Sequence, residues 1–162
     1  MSRRRRFLAL AGLTTLAQLL YELGVRALLW RNLNRYRAGD PKPLQRTFAD
    51  DVHFTFPGES SWRIDTRDKR EVERWQARFF ASGLQLTPGK VAVDGPPWNT
   101  TIVLHFTDHL DDSEGRRVYS NVGVIYGKVA WGKVVAFTVY EDTQKLPPLD
   151  DHLSKDPSTA AA

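Results

Sequence analysis

The chain has 162 residues and no cysteine, so it is long enough to bury a core of its own, and neither a disulfide framework nor thiolate chemistry is available to it. Its net charge of +4 is uneven: residues 1–50 carry ten Lys and Arg against three Asp and Glu, whereas residues 51–162 carry thirteen against sixteen. A slightly acidic body excludes the basic face a nucleic-acid partner requires and confines the basicity to the N-terminus.

The opening MSRRRRFLALAGLTTLAQLL places four arginines ahead of an uncharged run over 7–20. That run is short for a membrane span, which needs about 20 residues, but it suits the apolar region of a signal peptide. Arg4-Arg5-Arg6-Phe7-Leu8 resembles a twin-arginine export signal, with Ala9 where a lysine is usual, and no small-x-small cleavage site follows at the right distance. The other reading is a helix whose arginines meet anionic lipid. Residues 1–22 are accordingly set apart as a signal-like or peripheral membrane segment, and the location as cytoplasmic, membrane-associated or exported.

Val25, Leu28, Leu29, Leu33 and Tyr36 recur at helical spacing and predict one buried stripe. Asn32 falls inside it, where a buried amide needs partners or a ligand. Gly39-Asp40-Pro41 ends this helix and starts a short one. Strands follow at 52–56 and, more weakly, at 62–65. Asp68 with Glu71 three residues on forms a capping-box pattern for a helix whose inner face is Val72, Trp75, Phe79 and Phe80, and Gly83 stops it. Strands at 90–94, 100–109, 117–130 and 133–141 are separated by DGPPWN, LDDSEG and WG, turn chemistries of antiparallel hairpins. The segment from 147 onward has little to bury and reads as a disordered tail. Helices first and a meander last imply an α+β architecture with helices over one sheet face.

Ala38-Gly39-Asp40, FADDVHFTFPG at 48–58, the helix after Arg67-Asp68, GPPWNT at 95–100 and YEDTQ at 140–144, in this order, resemble the nuclear transport factor 2-like superfamily, specifically its SnoaL-like and ketosteroid-isomerase-like members. The resemblance covers about 23–146. It implies a curved antiparallel sheet forming a cone with helices in its concavity, a small apolar molecule inside, a homodimer and no cofactor. Some members are isomerases, cyclases, dehydratases or epoxide hydrolases, but fold does not transfer chemistry. Phe56 stands where the ketosteroid isomerases carry their general base, and Asn32 where they carry an oxyanion-hole tyrosine. Between Val118 and Tyr140 there is no acid to supply their second oxyanion donor. Against the limonene-epoxide-hydrolase pattern Asp108 and Asp142 match, yet Phe106 replaces the arginine. A SnoaL-like aspartate–histidine pair would be Asp142 with His105 or His53.

Read from the residues alone, Asp142 and Tyr140 share a strand face, so Asp142 is either a desolvated acid/base group in the cone or a cap beside Thr143. Asp108 on its own reads as leading into the solvated turn at Asp111 and Asp112. Asp50 and Asp51 read as turn formers, and His53 as a hydrogen-bonded surface residue. The candidate catalytic set is Asp142, Tyr140 and His105. The candidate ligand-binding set is Asn32, Phe56, Trp75, Trp98, Asp108, Asn121 and Tyr126, with room for a ligand or a close backbone approach beside Gly123. His105 and His109 lie about 13 Å apart along a strand, so no metal pair forms, and neither a phosphate loop nor G-x-S-x-G occurs. Two functions stay open: an apolar-ligand-binding module without a complete catalytic set, or a cofactor-independent acid/base enzyme using Asp142.

Overall fold

The structure is a computed structural model that describes residues 3–155, with side-chain surroundings from residue 15 onward. Helix α1 (Arg3–Arg37) leads through a short α2 (Lys42–Gln45) into β1 (Phe48–Phe56) and β2 (Ile64–Thr66). Helix α3 (Lys69–Ala81) precedes β3 (Gln85–Asp94), β4 (Thr100–Asp111), β5 (Arg117–Ala130) and β6 (Lys133–Glu141), and a 3₁₀ turn (Thr143–Lys145) enters α4 (Leu146–Lys155). The strands form one curved, unclosed sheet in the order β2-β1-β6-β5-β4-β3. Every pairing is antiparallel except that of β1 with β6, so the sheet is mostly antiparallel, as expected, with one parallel pair. Register shifts between Pro88 and Val91 and between Lys128 and Val129 mark bulges, which bend strands and increase their twist.

Alternation sorts each strand into an inner and an outer row. On β4 Leu104, Phe106, Asp108 and Leu110 are buried, and on β5 Tyr119, Asn121, Gly123, Ile125, Gly127 and Val129 are, whereas Val122 and Tyr126 point outward. The core joins these rows to Leu33 and Tyr36 of α1, Phe54 and Phe56 of β1, and Val72 and Phe79 of α3.

Three local findings bear on the expectations. First, α1 runs unbroken through residue 23, so the segment 1–22 and the start of the domain share one helix. Its N-terminal half is tied to the sheet, Gln18 Nε2 donating to the Gly95 carbonyl at 2.7 Å and the Tyr21 hydroxyl meeting Thr100 Oγ1 at 2.6 Å. Second, Asp68 caps α3 by accepting from the Arg70 N–H, but Glu71 does not complete a capping box: its carboxylate accepts the Thr66 hydroxyl instead. Third, residues 146–155 form α4, with Leu146 and Leu149 each only 1% exposed. Pro147 and Pro148 occupy the first turn, where a missing N–H costs nothing. The remainder of the expected tail, 156–162, lies outside the described residues. No helix among the described residues is long and apolar enough to cross a membrane.

Candidate acid/base pocket

The concave face of the sheet and the inner face of α1 enclose a cavity of about 410 Å³, within the usual size range of small-molecule sites. Leu28, Leu29 and Leu33 form its helical wall, Phe54, Phe56, Trp62 and Trp75 one flank, Leu104, Phe106, Ile125 and Val139 the sheet wall, and Leu146 and Leu149 of α4 close an end. Trp75 is held by a 2.8 Å hydrogen bond from its indole N–H to the Trp62 carbonyl and by rings of Phe54, Phe56 and Phe79.

A cluster of polar groups interrupts this apolar lining. Asp108 on β4 lies opposite Asn121 on β5, and Glu141 on β6 lies opposite Gly123, so the two carboxyls come from strands on either side of β5. They hydrogen-bond to each other, and the Tyr119 phenol, also on β5, hydrogen-bonds Glu141. Asn121 Nδ2 donates at 3.0 Å to the Tyr119 oxygen and at 3.0 Å to the Asp142 carbonyl, while its Oδ1 accepts from the Val122 N–H at 2.9 Å. The donors therefore run in one direction: amide to phenol, phenol to Glu141, protonated Glu141 to Asp108. That order concentrates the pair's negative charge on Asp108.

Burial raises both carboxyl pKa values, and in Glu141 the nearby Asp108 charge adds to the rise. The two titrate as a pair, pushed up to about 6 and to about 8. Burial likewise pushes the Tyr119 phenol far up, so it remains a neutral donor. Each carboxyl also keeps one oxygen without a partner, Asp108 Oδ1 and Glu141 Oε2, and across the cavity Asn32 Oδ1 is buried and unpartnered as well. Three orphaned acceptors in one apolar cavity are costly unless a ligand or water satisfies them.

The candidates read from sequence divide between this pocket and the outside. Asn32, Phe56, Trp75 and Asp108 line it, and Asn121 is buried beside it. Reading Asp108 as part of a solvated turn is corrected: β4 continues to Asp111, and Asp108, 3% exposed, falls in its inward row. The proposed catalytic set lies outside. Asp142 is exposed and accepts from the Gln144 N–H at 3.1 Å, capping the 3₁₀ turn. Tyr140 is 53% exposed on the outer row of β6, one step out of phase with Val139 and Glu141. His105 is exposed on the outer row of β4, against Gly89. Trp98 and Tyr126 also face outward, Trp98 packing on Trp131 at 5.9 Å. No ligand space opens at Gly123, because the Phe106 ring crosses it, 2.4 Å from where a Cβ would sit. His53 pairs with Asp65 at 2.7 Å on the surface, and Asp50 and Asp51 are exposed.

Sequence reasoning missed Glu141. The signal was present: Phe137 and Val139 make the odd row of β6 more apolar than Thr138 and Tyr140, and Glu141 belongs to that row.

No family model matches the sequence, and no curated protein does. Solved structures do resemble it. An NTF2-like protein of unknown function from Burkholderia pseudomallei superposes with a TM-score of 0.64 at 18% identity, covering 76% of this chain and 95% of the other. TerC, co-crystallized with polyporic acid, gives 0.62 at 14% over 77% and 96%. AclR from Streptomyces galilaeus, a hydroxylase candidate, gives 0.59 at 17% over 84% and 99%. At these identities the likeness establishes the fold.

Proposed function

We propose that this chain, which has the nuclear transport factor 2-like fold, binds a small apolar molecule bearing a carbonyl group in its cone and moves a proton on it with Asp108 and Glu141. The observation that carries this reading is the buried carboxyl pair, each member with one unpartnered oxygen, in a cavity otherwise walled by aliphatic and aromatic side chains. That TerC, which is similar in fold, was co-crystallized with polyporic acid supports a small organic molecule as the occupant. Asn32, across the cavity, supplies a further polar contact for the ligand.

Asp108, held as the anion, takes a proton from the carbon next to the carbonyl. The C–H electron pair forms the new C=C bond, and the carbonyl π pair moves to oxygen, which takes the proton of Glu141. The product of this half is a neutral enol. Its reversal returns one proton to carbon from Asp108 and one to Glu141 from oxygen, so isomerisation or exchange consumes no electrons. Positioned acid/base groups of this kind contribute about 10²–10⁴-fold in rate.

A test uses the bicyclic ketone β-tetralone in D₂O, with deuterium uptake followed by mass spectrometry and binding by quenching of the tryptophans that include Trp62 and Trp75. Uptake above the buffer rate should be bell-shaped, rising near about 6 and falling near about 8, where Asp108 is ionised while Glu141 is protonated. Asp108→Asn and Glu141→Gln should abolish the enzyme-dependent uptake while leaving quenching in place. Quenching with no uptake above buffer in the wild type would leave a binding module instead.

The outer face of the sheet supports the homodimer that the resemblance implies, since Val122, Tyr126, Val135 and Tyr140 lie exposed on it.

A further inference from the structure

Leu16, Leu19, Leu23, Ala27 and Trp30 recur at helical spacing along one stripe of α1, opposite the stripe of Val25, Asn32 and Tyr36 that faces the cavity, and Leu20 lies at the edge between the two. The outer stripe is bare: Leu16, Leu19 and Leu23, with Leu20 beside them, are 52–61% exposed. A helix apolar on two faces, with only one of them covered by its own domain, has a second partner.

At Leu20, which lines the cavity together with Gly132, the helix meets two loops. Gln18 is bonded to Gly95 and Tyr21 to Thr100, and the Trp131 N–H donates to the Pro97 carbonyl at 2.7 Å. These ties bring the 95–100 loop and the β5–β6 turn beside the N-terminal half of α1. Both carry exposed indoles, Trp98 and Trp131 at 59% and 74%. Trp131 holds its exposed position with φ at +52°, a left-handed conformation that an aromatic residue rarely adopts. Indole is the side chain that best suits the boundary between hydrocarbon and water.

Charge selects among partners. Residues 1–37 contain eight arginines and one carboxylate, Glu22, which is itself bonded to Gln18. Such a segment complements an anionic surface, while its own copy would repel it. An apolar stripe on an arginine-rich helix suits a segment lying along a bilayer surface.

We propose that this rim, the outer stripe of α1 with Trp98 and Trp131, docks on an anionic lipid bilayer. Leu20 and Gly132 belong to the rim and also line the cavity, so the pocket opens toward the membrane and takes its apolar ligand from there. The docking itself does not depend on the acid/base reading.

The test is flotation of the full-length chain with vesicles of phosphatidylcholine alone or with one-third phosphatidylglycerol, in low and in high salt. Wild type should float with the anionic vesicles and at least tenfold less with the neutral ones. The paired variants Leu19→Ser/Leu23→Ser and Trp98→Ser/Trp131→Asn should each weaken flotation at least tenfold, with unchanged far-ultraviolet circular dichroism and an unchanged β-tetralone affinity showing that fold and pocket persist. Failure to float with anionic vesicles at low salt would overturn the proposal. Flotation untouched by both variants would also overturn it, reducing the contact to the arginines alone. A dimer in solution that Leu19→Ser/Leu23→Ser converts to monomer, without flotation, would assign the stripe to a second copy.

Discussion

At Asp108 the cost of burying a charge becomes measurable. Because its pKa in the fold is raised from 3.8 to about 6, its favourable contribution is complete below the unfolded value and is lost as pH rises through the folded one. Glu141, raised from 4.5 to about 8, has the same sign over a higher range. Asp108→Asn should therefore stabilise the protein by roughly 1–3 kcal/mol at pH 8, with the gain shrinking as pH falls toward 4; urea titrations at both pH values check it. Asp40, Asp111 and Asp112 have the opposite sign, since hydrogen bonds from the Arg35 side chain to Asp40, from the Arg117 side chain to Asp111, and from the Arg116 backbone and side chain to Asp112 lower their pKa values. Their contribution holds above the ordinary carboxylate range and is lost only in more acidic solution. Asp142→Ala removes a cap and should cost about 1 kcal/mol without altering deuterium uptake, which separates it from Asp108. Trp131→Asn should raise the melting temperature, because with Gly132 at φ +79° the two-residue turn needs two left-handed residues and asparagine tolerates that state.

Among the elements, α4 has a role that its composition conceals. PPLDDHLSKDPSTAAA is rich in proline and charge, yet Leu146, Leu149 and Leu153 recur three and four apart, and two of them complete the pocket wall. Trp62 connects the helix to the rest: its indole donates to Asp150 at 3.1 Å, and the Arg78 guanidinium sits 4.0 Å over its ring. Leu149→Ala should cost about 2–5 kcal/mol in chemical denaturation and enlarge the cavity. Strands β5 and β6 were legible to their end residues, because WG punctuates them and their apolar alternation is long. Strand β3 was legible only from residue 90, because Pro88 and Gly89 argue against a strand there; as an edge strand with a bulge it accommodates both.

For the whole molecule, an apolar ligand that binds only the folded state should raise the melting temperature with concentration, by about 2.7 kcal/mol of stability at a hundred times its dissociation constant. Thermal scans with increasing β-tetralone check this. If the outer sheet face is the homodimer contact, Tyr140→Glu should halve the mass seen by light scattering while leaving the pocket intact, since Tyr140 points away from it.

What the sequence determined by itself is what depends on local period and turn chemistry: the α+β order, the strands after residue 100, the inward stripe of α1 with Asn32 in it, and the asymmetry of charge. The tertiary structure decided which row of each strand faces the cavity. That choice turns on one residue of phase, so it exchanged Asp142 and Tyr140 for Glu141 and moved Asp108 from an assumed turn into the wall. It also brought Asp108, Tyr119 and Glu141 together from three strands, a proximity set by register and not by spacing along the chain. Whether a carboxylate is a solvated surface group or a buried acid depends on what surrounds it, and those neighbours are assembled only when the sheet closes over the helix.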